Sequence, residues 1–312
     1  MRVLVLGAGG IGGYFGARIQ SAGGDVTFLV RPARAENLLA SGLHVSSALG
    51  DVHVVPKVVT SIEDPSHTFD VIVLSCKAYD LNSALESISP AISTNSVVLP
   101  LLNGVAHLDT LDNRFGRERV LGGVAQIAVT LAPSGEIIHL NRMHRLTIGS
   151  RSTPVPKQVY LMADLLSTTS VDFSLSDHIE QDMWDKFIFL TTLAGATCTM
   201  RANLGEILST IAGEAFIVGL LDECESVALA NHGTPNPDQL LGYRNQLTKR
   251  GSGLTASMLR DIERGGPTEA DHIIGDMVNR ADASGIKVPL LKLAYSHLQA
   301  YELARKRHEK SV

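Results

Sequence analysis

Two patterns in this chain could do chemistry, a glycine-rich turn suited to phosphate and a lysine set among apolar residues. Gly7-Ala8-Gly9-Gly10-Ile11-Gly12 has the spacing G-x-G-x-x-G, directly after the β-prone run 2–6 and directly before the helical stretch 11–22. In such a turn the first glycine permits the tight bend, the second lets backbone approach a pyrophosphate, and the third brings helix and strand together. The helix N-terminus then faces the negative charge. An ordinary strand-to-helix turn is the plainer alternative, but this context favours dinucleotide binding.

After the second apolar run, 25–30, the chain reads Arg31-Pro32-Ala33-Arg34, where an NAD binder usually carries an acid for the ribose hydroxyls. Guanidinium groups there suit a 2′-phosphate and favour NADPH, though exposed arginines can serve solubility alone. Lys77 follows the apolar run 70–75, and Asn103 with Gly104 follows 96–102. Strand ends of this kind are where open α/β sheets bind ligands, and loop polarity is the other reading of each. Trp184-Asp185-Lys186-Phe187-Ile188 puts an ammonium in an apolar helix, where it must snorkel, face a cleft or find an acid. A lysine so placed could stay protonated and yet donate to a developing alkoxide. Ser257 and Glu269 are further candidates, each also explained by helix capping or the helix dipole, with Thr268 and Asp271 reading as an N-cap arrangement.

The elements that must position these residues fall into two regions. Strand and helix patterns alternate through the first, predicting a Rossmann-type doubly wound α/β sheet over 1–176. Short strands at 43–46 and 52–55 are expected to extend that sheet, and the two β-like runs around Pro133-Ser134-Gly135, within 122–148, to form a hairpin at its far edge. From 177 to 312 the pattern is all-helical, with stretches at 178–200, 204–231, 236–250, 254–264 and 268–284. The charged run Arg305 to Lys310 reads as a fraying helix end.

Composition bounds the partners. With 312 residues, 45% of them apolar, and a net charge of -5, the chain can bury a large core and offers no field to gather nucleic acid or anionic lipid. Small molecules are the expected ligands. No run reaches the ~18 apolar residues of a membrane span, and the opening lacks the form of a signal peptide. Three cysteines without metal-ligand spacing fit a reducing compartment, so a cytoplasmic location is expected. The eleven histidines form no metal motif, so no metal is expected, and His139 and His144 read as surface residues. A homodimer through the helical domain is left open.

Taken together, these residues resemble the ketopantoate reductase (2-dehydropantoate 2-reductase) family over nearly the whole chain. The resemblance implies that Gly7 to Gly12 hold NADPH, Arg31 meets its 2′-phosphate, and Lys77, Asn103 and Gly104 line the cofactor and substrate site. It implies Lys186 as the general acid for reduction of a 2-oxo acid, Ser257 as a substrate contact, and Glu269 as support for Lys186 and for a substrate hydroxyl. Family members usually carry asparagines four and eight positions after the lysine; here Leu190 and Ala194 stand there. The resemblance thus implies reduction of 2-dehydropantoate for pantothenate and coenzyme A synthesis, with two alternatives: a reductase of another 2-oxo acid, or a dinucleotide sensor without turnover. The joint presence of Lys186, Ser257 and Glu269 speaks against the sensor.

Overall fold

The computed structural model describes residues 1–64 and 68–309, so the last residue of the charged run Arg305 to Lys310 lies outside the described residues. The chain divides into two compact units, one of residues 1–102 and 107–180, the other of 103–106 and 181–312.

The first unit runs β1 (Arg2–Leu6), α1 (Gly10–Ser21), β2 (Asp25–Leu29), α2 (Pro32–Ser41), β3 (Leu43–Ser46), β4 (Val52–Val54), β5 (Lys57–Val59), β6 (Val71–Leu74), α3 (Leu81–Ile88), β7 (Val97–Pro100), α4 (Ala106–Phe115), β8 (Gly122–Leu131), β9 (Ile137–Gly149), α5 (Lys157–Ser167) and β10 (Asp172–Leu175). Strands β1, β6 and β7 are continuous apolar runs because both faces are covered, the condition of a parallel sheet. They pair in the order β5-β2-β1-β6-β7, all parallel. The strand order reverses at β1, and the crevice beside its carboxyl end, between β1 and β6, is where such a sheet takes a ligand.

The remaining strands form a second sheet, in the order β10-β9-β3-β4 with β8 paired to β9. The segments 43–46 and 52–55 therefore do not extend the first sheet, and the hairpin 122–148 belongs to the second, although its lead-in meets the first sheet's far edge: Val120 bridges to Val98 of β7, and the Leu121 N–H donates to the Val98 carbonyl at 2.9 Å. Val45 pairs with Ile137 and Arg145 with Asp172, so β9 gathers strands from distant parts of the chain. Buried Val3 and Val5 of β1, Tyr14 and Phe15 of α1, Leu43 and Val45 of β3, and Ile137 and Ile148 of β9 share one core.

Inside that core lies a polar cluster that overturns the surface reading of His139 and His144, which are 7% and 8% exposed. Arg18 donates to the Tyr14 hydroxyl at 3.4 Å and to the Gly50 carbonyl at 2.5 Å. The Tyr14 hydroxyl lies 2.8 Å from His144 Nδ1. His139 Nε2 meets the Met143 carbonyl at 2.9 Å and must donate to it, and its Nδ1 lies 2.9 Å from the Ser47 hydroxyl. Burial pushes the His144 pKa down, helped by the charges of Arg18 and His139 and opposed by Asp172. The folded ring thus resists a proton that the unfolded chain accepts below about pH 6.5, so stability is whole above that pH and falls as pH drops toward the lowered folded value. Thermal melts from pH 7 to 5 should fall more steeply in the wild type than in His144→Gln; parallel slopes would refute this.

The second unit is helical: α6 (Ile179–Met200), α7 (Leu204–Leu208), α8 (Gly213–Asn231), α9 (Pro237–Leu247), α10 (Ser257–Glu263), a π-helical turn (Asp271–Gly275), α11 (Asp276–Ala283) and α12 (Pro289–Glu309). The predicted helix 204–231 is two helices, the second opened by Gly213, whose added Cβ would overlap the Ile207 carbonyl. Their first turn is closed by a capping box between Asn203 and Glu206. The carboxylate of Glu223 on α8 accepts from the backbone N–H groups of Leu290 and Leu291, at 3.0 and 2.8 Å, and so satisfies the start of α12. Among the described residues no helix is long and apolar enough to cross a membrane.

Candidate active site

In the first unit, the turn after β1 has the form its glycines require. Gly7 has φ +89°. A Cβ on Gly12 would strike the Ser75 hydroxyl and come within 2.5 Å of the Gly7 carbonyl oxygen, so α1 can approach β1 only with glycine there. A Cβ on Gly9 would meet nothing within 4 Å, which leaves open space on that side of the turn. The N–H groups of Gly10, Ile11 and Gly12 form the first turn of α1, where no intrahelical acceptor exists. A cradle with open space over Gly9 and unpaired donors at a helix start fits a pyrophosphate. Ala8 completes the turn, and its carbonyl accepts two bonds from Arg34, at 3.1 and 3.0 Å.

That use of Arg34 separates the two arginines. Its remaining donors reach the Gly135 carbonyl at 2.9 Å and Asn37 at 2.8 Å, so the guanidinium ties the glycine turn to the β8–β9 turn. Arg31 by contrast is 78% exposed at the start of α2, with Asp80 at 3.0 Å. Lys77 is half-buried after β6, just before a 3₁₀ turn at Ala78–Asp80. Ser75, which the sequence did not single out, donates to the Leu6 carbonyl at 2.9 Å and locks the ends of β1 and β6 together.

In the second unit, Lys186 on α6 donates to Asn103 Oδ1 at 3.4 Å. Burial lowers its pKa to about 8, and the Glu269 carboxylate opposes that fall. Glu269 is itself 5% exposed. Gly104 takes φ +79°, and a Cβ there would lie 2.9 Å from the His272 carbonyl, which fixes Asn103 against the π-helical turn. Asn103, Lys186 and Glu269 are thus brought together from positions far apart in the chain. Thr268 is not the predicted cap: its N–H and hydroxyl both donate to Glu302 on α12, at 2.7 and 2.8 Å, so α12 anchors the residue beside Glu269. Sequence reasoning missed Glu302, since of α12 it anticipated only the end, at Arg305 to Lys310.

Ser257 is exposed and is the first residue of α10, one position past the N-cap, which is Ala256. The Ala256 N–H donates to Thr197 Oγ1 at 3.3 Å, tying the start of α10 to α6. Leu190 and Ala194 follow Lys186 by four and eight residues on α6, and so share its face. Leu190 is half-buried and Ala194 is 3% exposed. Burial pushes the thiols of Cys198 and Cys224 up to about 12, which removes them as nucleophiles at neutral pH. Among the described residues no three His, Cys, Asp or Glu side chains are grouped to hold a metal.

An arrangement of this kind can hold a dinucleotide phosphate and, separately, keep a lysine proton ready for transfer. Comparison with known proteins identifies the family. The family described as ketopantoate reductase PanE/ApbA matches residues 3–153, and its C-terminal counterpart matches 178–302. An uncharacterized oxidoreductase of Bacillus subtilis (strain 168), YkpB, is 37% identical over 97% of this chain and 99% of its own. The structure of a PanE/ApbA family ketopantoate reductase from Ralstonia eutropha JMP134 is 27% identical, with a TM-score of 0.87 over 98% of this chain and 100% of its own. A ternary structure of D-mandelate dehydrogenase with NADH and anilino(oxo)acetate shares the fold, with a TM-score of 0.88 at 22% identity, over 98% of this chain and 99% of its own. Matched over 3–153 and 178–302, the chain belongs to the ketopantoate reductase family of oxidoreductases, which use a nicotinamide cofactor and act on small molecules.

Proposed function

We propose that the chain is a cytoplasmic, NADPH-dependent reductase of a 2-oxo acid, with 2-dehydropantoate reduced to pantoate as its named reaction. The observation that carries this reading is Lys186, a desolvated lysine held by Asn103 and in the field of Glu269, with its pKa near 8. When bound, the reduced nicotinamide supplies a hydride to the oxo carbon. Gly7, Ala8, Gly9, Gly10, Ile11 and Gly12 hold its pyrophosphate, Arg31 its 2′-phosphate, and Lys77 and Asn103 its nicotinamide end. Lys186 delivers a proton from Nζ to the oxo oxygen, which prevents a bare alkoxide from forming. Asn103 orients that ammonium, and Glu269 keeps it charged near neutral pH. Ser257 binds the substrate carboxylate through its exposed hydroxyl.

A second reading has its own support. Leu190 and Ala194, on the Lys186 face of α6, offer no hydrogen bond, which suits a 2-oxo acid with an apolar side chain. D-mandelate dehydrogenase, crystallised with anilino(oxo)acetate, is an apolar-substrate example of the same fold. The two readings separate on 2-dehydropantoate and trimethylpyruvate, which differ by one hydroxyl. A site that hydrogen-bonds the hydroxyl should prefer 2-dehydropantoate by ~10⁴ in kcat/KM, whereas an apolar site should distinguish them by less than ~10-fold. In the second case, Leu190→Asn with Ala194→Asn should raise the preference for 2-dehydropantoate at least ~10-fold. NADPH binding without consumption of either acid would lead next to a panel of other 2-oxo acids, and consumption of none of them would reject both readings in favour of a sensor.

A further inference from the structure

We propose that Asp80 sets the choice between NADPH and NADH, as a carboxylate that competes with the 2′-phosphate for Arg31. The proposal rests on the reading of Arg31 as the 2′-phosphate contact. Arg31 ends the β2 crossover and Asp80 ends the 3₁₀ turn after β6, so the sheet brings the two side chains to its carboxyl edge from either side of β1. They meet at 3.0 Å between Arg31 Nη2 and Asp80 Oδ1.

Two details show that the carboxylate is held for this contact. Asp80 is the N-cap residue of α3, a position where an aspartate ordinarily accepts a backbone N–H of the first turn, yet its side chain makes no capping bond. Its backbone is fixed on both sides: the Asp80 N–H donates to the Lys77 carbonyl at 2.9 Å, and its own carbonyl accepts the Ser83 hydroxyl at 2.9 Å. The backbone that carries the carboxylate is therefore fixed, and the carboxylate's contact is with Arg31. Side-chain exposures of 78% and 34% make the pair a weak contributor to stability, so it is no structural staple and its removal leaves the fold intact.

The electrostatic consequence is definite. A 2′-phosphate carries close to two negative charges, and the Arg31–Asp80 pair presents it with no net charge. The ribose hydroxyl of NADH carries no charge for Asp80 to repel. The charge repulsion from Asp80 thus falls on NADPH alone and holds the chain closer to dual cofactor use than Arg31 by itself would.

Equilibrium titration of the whole protein with NADPH and with NADH tests this. In Asp80→Asn the Kd for NADPH should fall about tenfold, with NADH as the internal reference moving less than ~2-fold, and added salt should shrink the gain. An unchanged or weaker NADPH affinity, or an equal shift for both cofactors, overturns the proposal. Arg31→Ala separates this failure from failure of the underlying reading. If Arg31→Ala leaves the ratio of the two Kd values at its wild-type level, the 2′-phosphate assignment itself falls. If it abolishes the ratio while Asp80→Asn leaves it unmoved, only the role of Asp80 is lost.

Discussion

Lys186→Ala is expected to lower kcat for oxo-acid reduction by at least ~100-fold, with the NADPH Kd unchanged. The lysine must be protonated to act, and burial has brought its pKa down to about 8. Reduction should therefore decline as pH rises through about 8 in the wild type, and the alanine variant should lack that limb. Glu269 raises the lysine pKa, so Glu269→Gln should move the same limb to lower pH. A Lys186→Ala enzyme that kept both its rate and its basic limb would remove the general acid from this site. Stability should respond in the opposite sense. Because the folded pKa lies below the unfolded value near 10.5, the folded state binds fewer protons than the unfolded state between them, and stability rises with pH through that window. Lys186→Met, which has no charge to desolvate, should melt higher than the wild type at pH 7 and turn over nothing.

Gly12→Ala should raise the Kd for NADPH by at least ~100-fold and cost about 2–3 kcal/mol of stability. The added carbon would lie 2.5 Å from the Gly7 carbonyl oxygen, and backbone cannot rotate aside as a side chain could. Removing the Ser75 hydroxyl as well would not restore the site, since the Gly7 clash remains. The turn must open, carrying the first-turn N–H groups of α1 out of line with the pyrophosphate. Gly9→Ala is the contrasting change, because its carbon would meet no protein atom within 4 Å. It should melt as the wild type does, so any loss of NADPH affinity there reports contact with the ligand alone. Calorimetric titration beside thermal melts reads both variants, and a Gly12→Ala protein with wild-type affinity would refute the cradle.

The contrast between these two glycines reflects what was legible in the sequence. The glycine turn and strands β1, β2, β6 and β7 announce themselves locally, because spacing within six residues and unbroken apolar runs dictate them. Pairing across long separations does not. Leu43 and Val45 alternate with His44 as a strand in any sheet would, and nothing nearby says that Val45 meets Ile137 rather than the parallel sheet. His139 and His144 looked like surface residues because Tyr14, Arg18 and Ser47, which make their burial tolerable, are remote in sequence. Of helix α12 only the charged end was read, because only Leu291, Ala294 and Leu298 are buried along its 21 residues, too sparse a stripe to read. The roles of Lys186, Asn103 and Glu269 came from resemblance to a family, since residue types alone allowed a snorkelling lysine and a capping acid. What the structure adds is their meeting, through the Lys186–Asn103 bond and the field of Glu269.

Residues 103–106 belong to the helical unit although they are encoded some 75 positions before the rest of it. Exchange between relatives is constrained by this arrangement. A chimera that replaced everything after residue 180 would join a new lysine helix and a new π-helical turn to the old Asn103-Gly104. The accepting amide oxygen of Asn103 would meet a foreign ammonium, and the glycine would face a carbonyl it was not fitted to. Recombination that preserves turnover must carry the four-residue insert together with the distal segment. The functional cassette is thus discontinuous, and a single crossover cannot move it without also replacing residues 107–180.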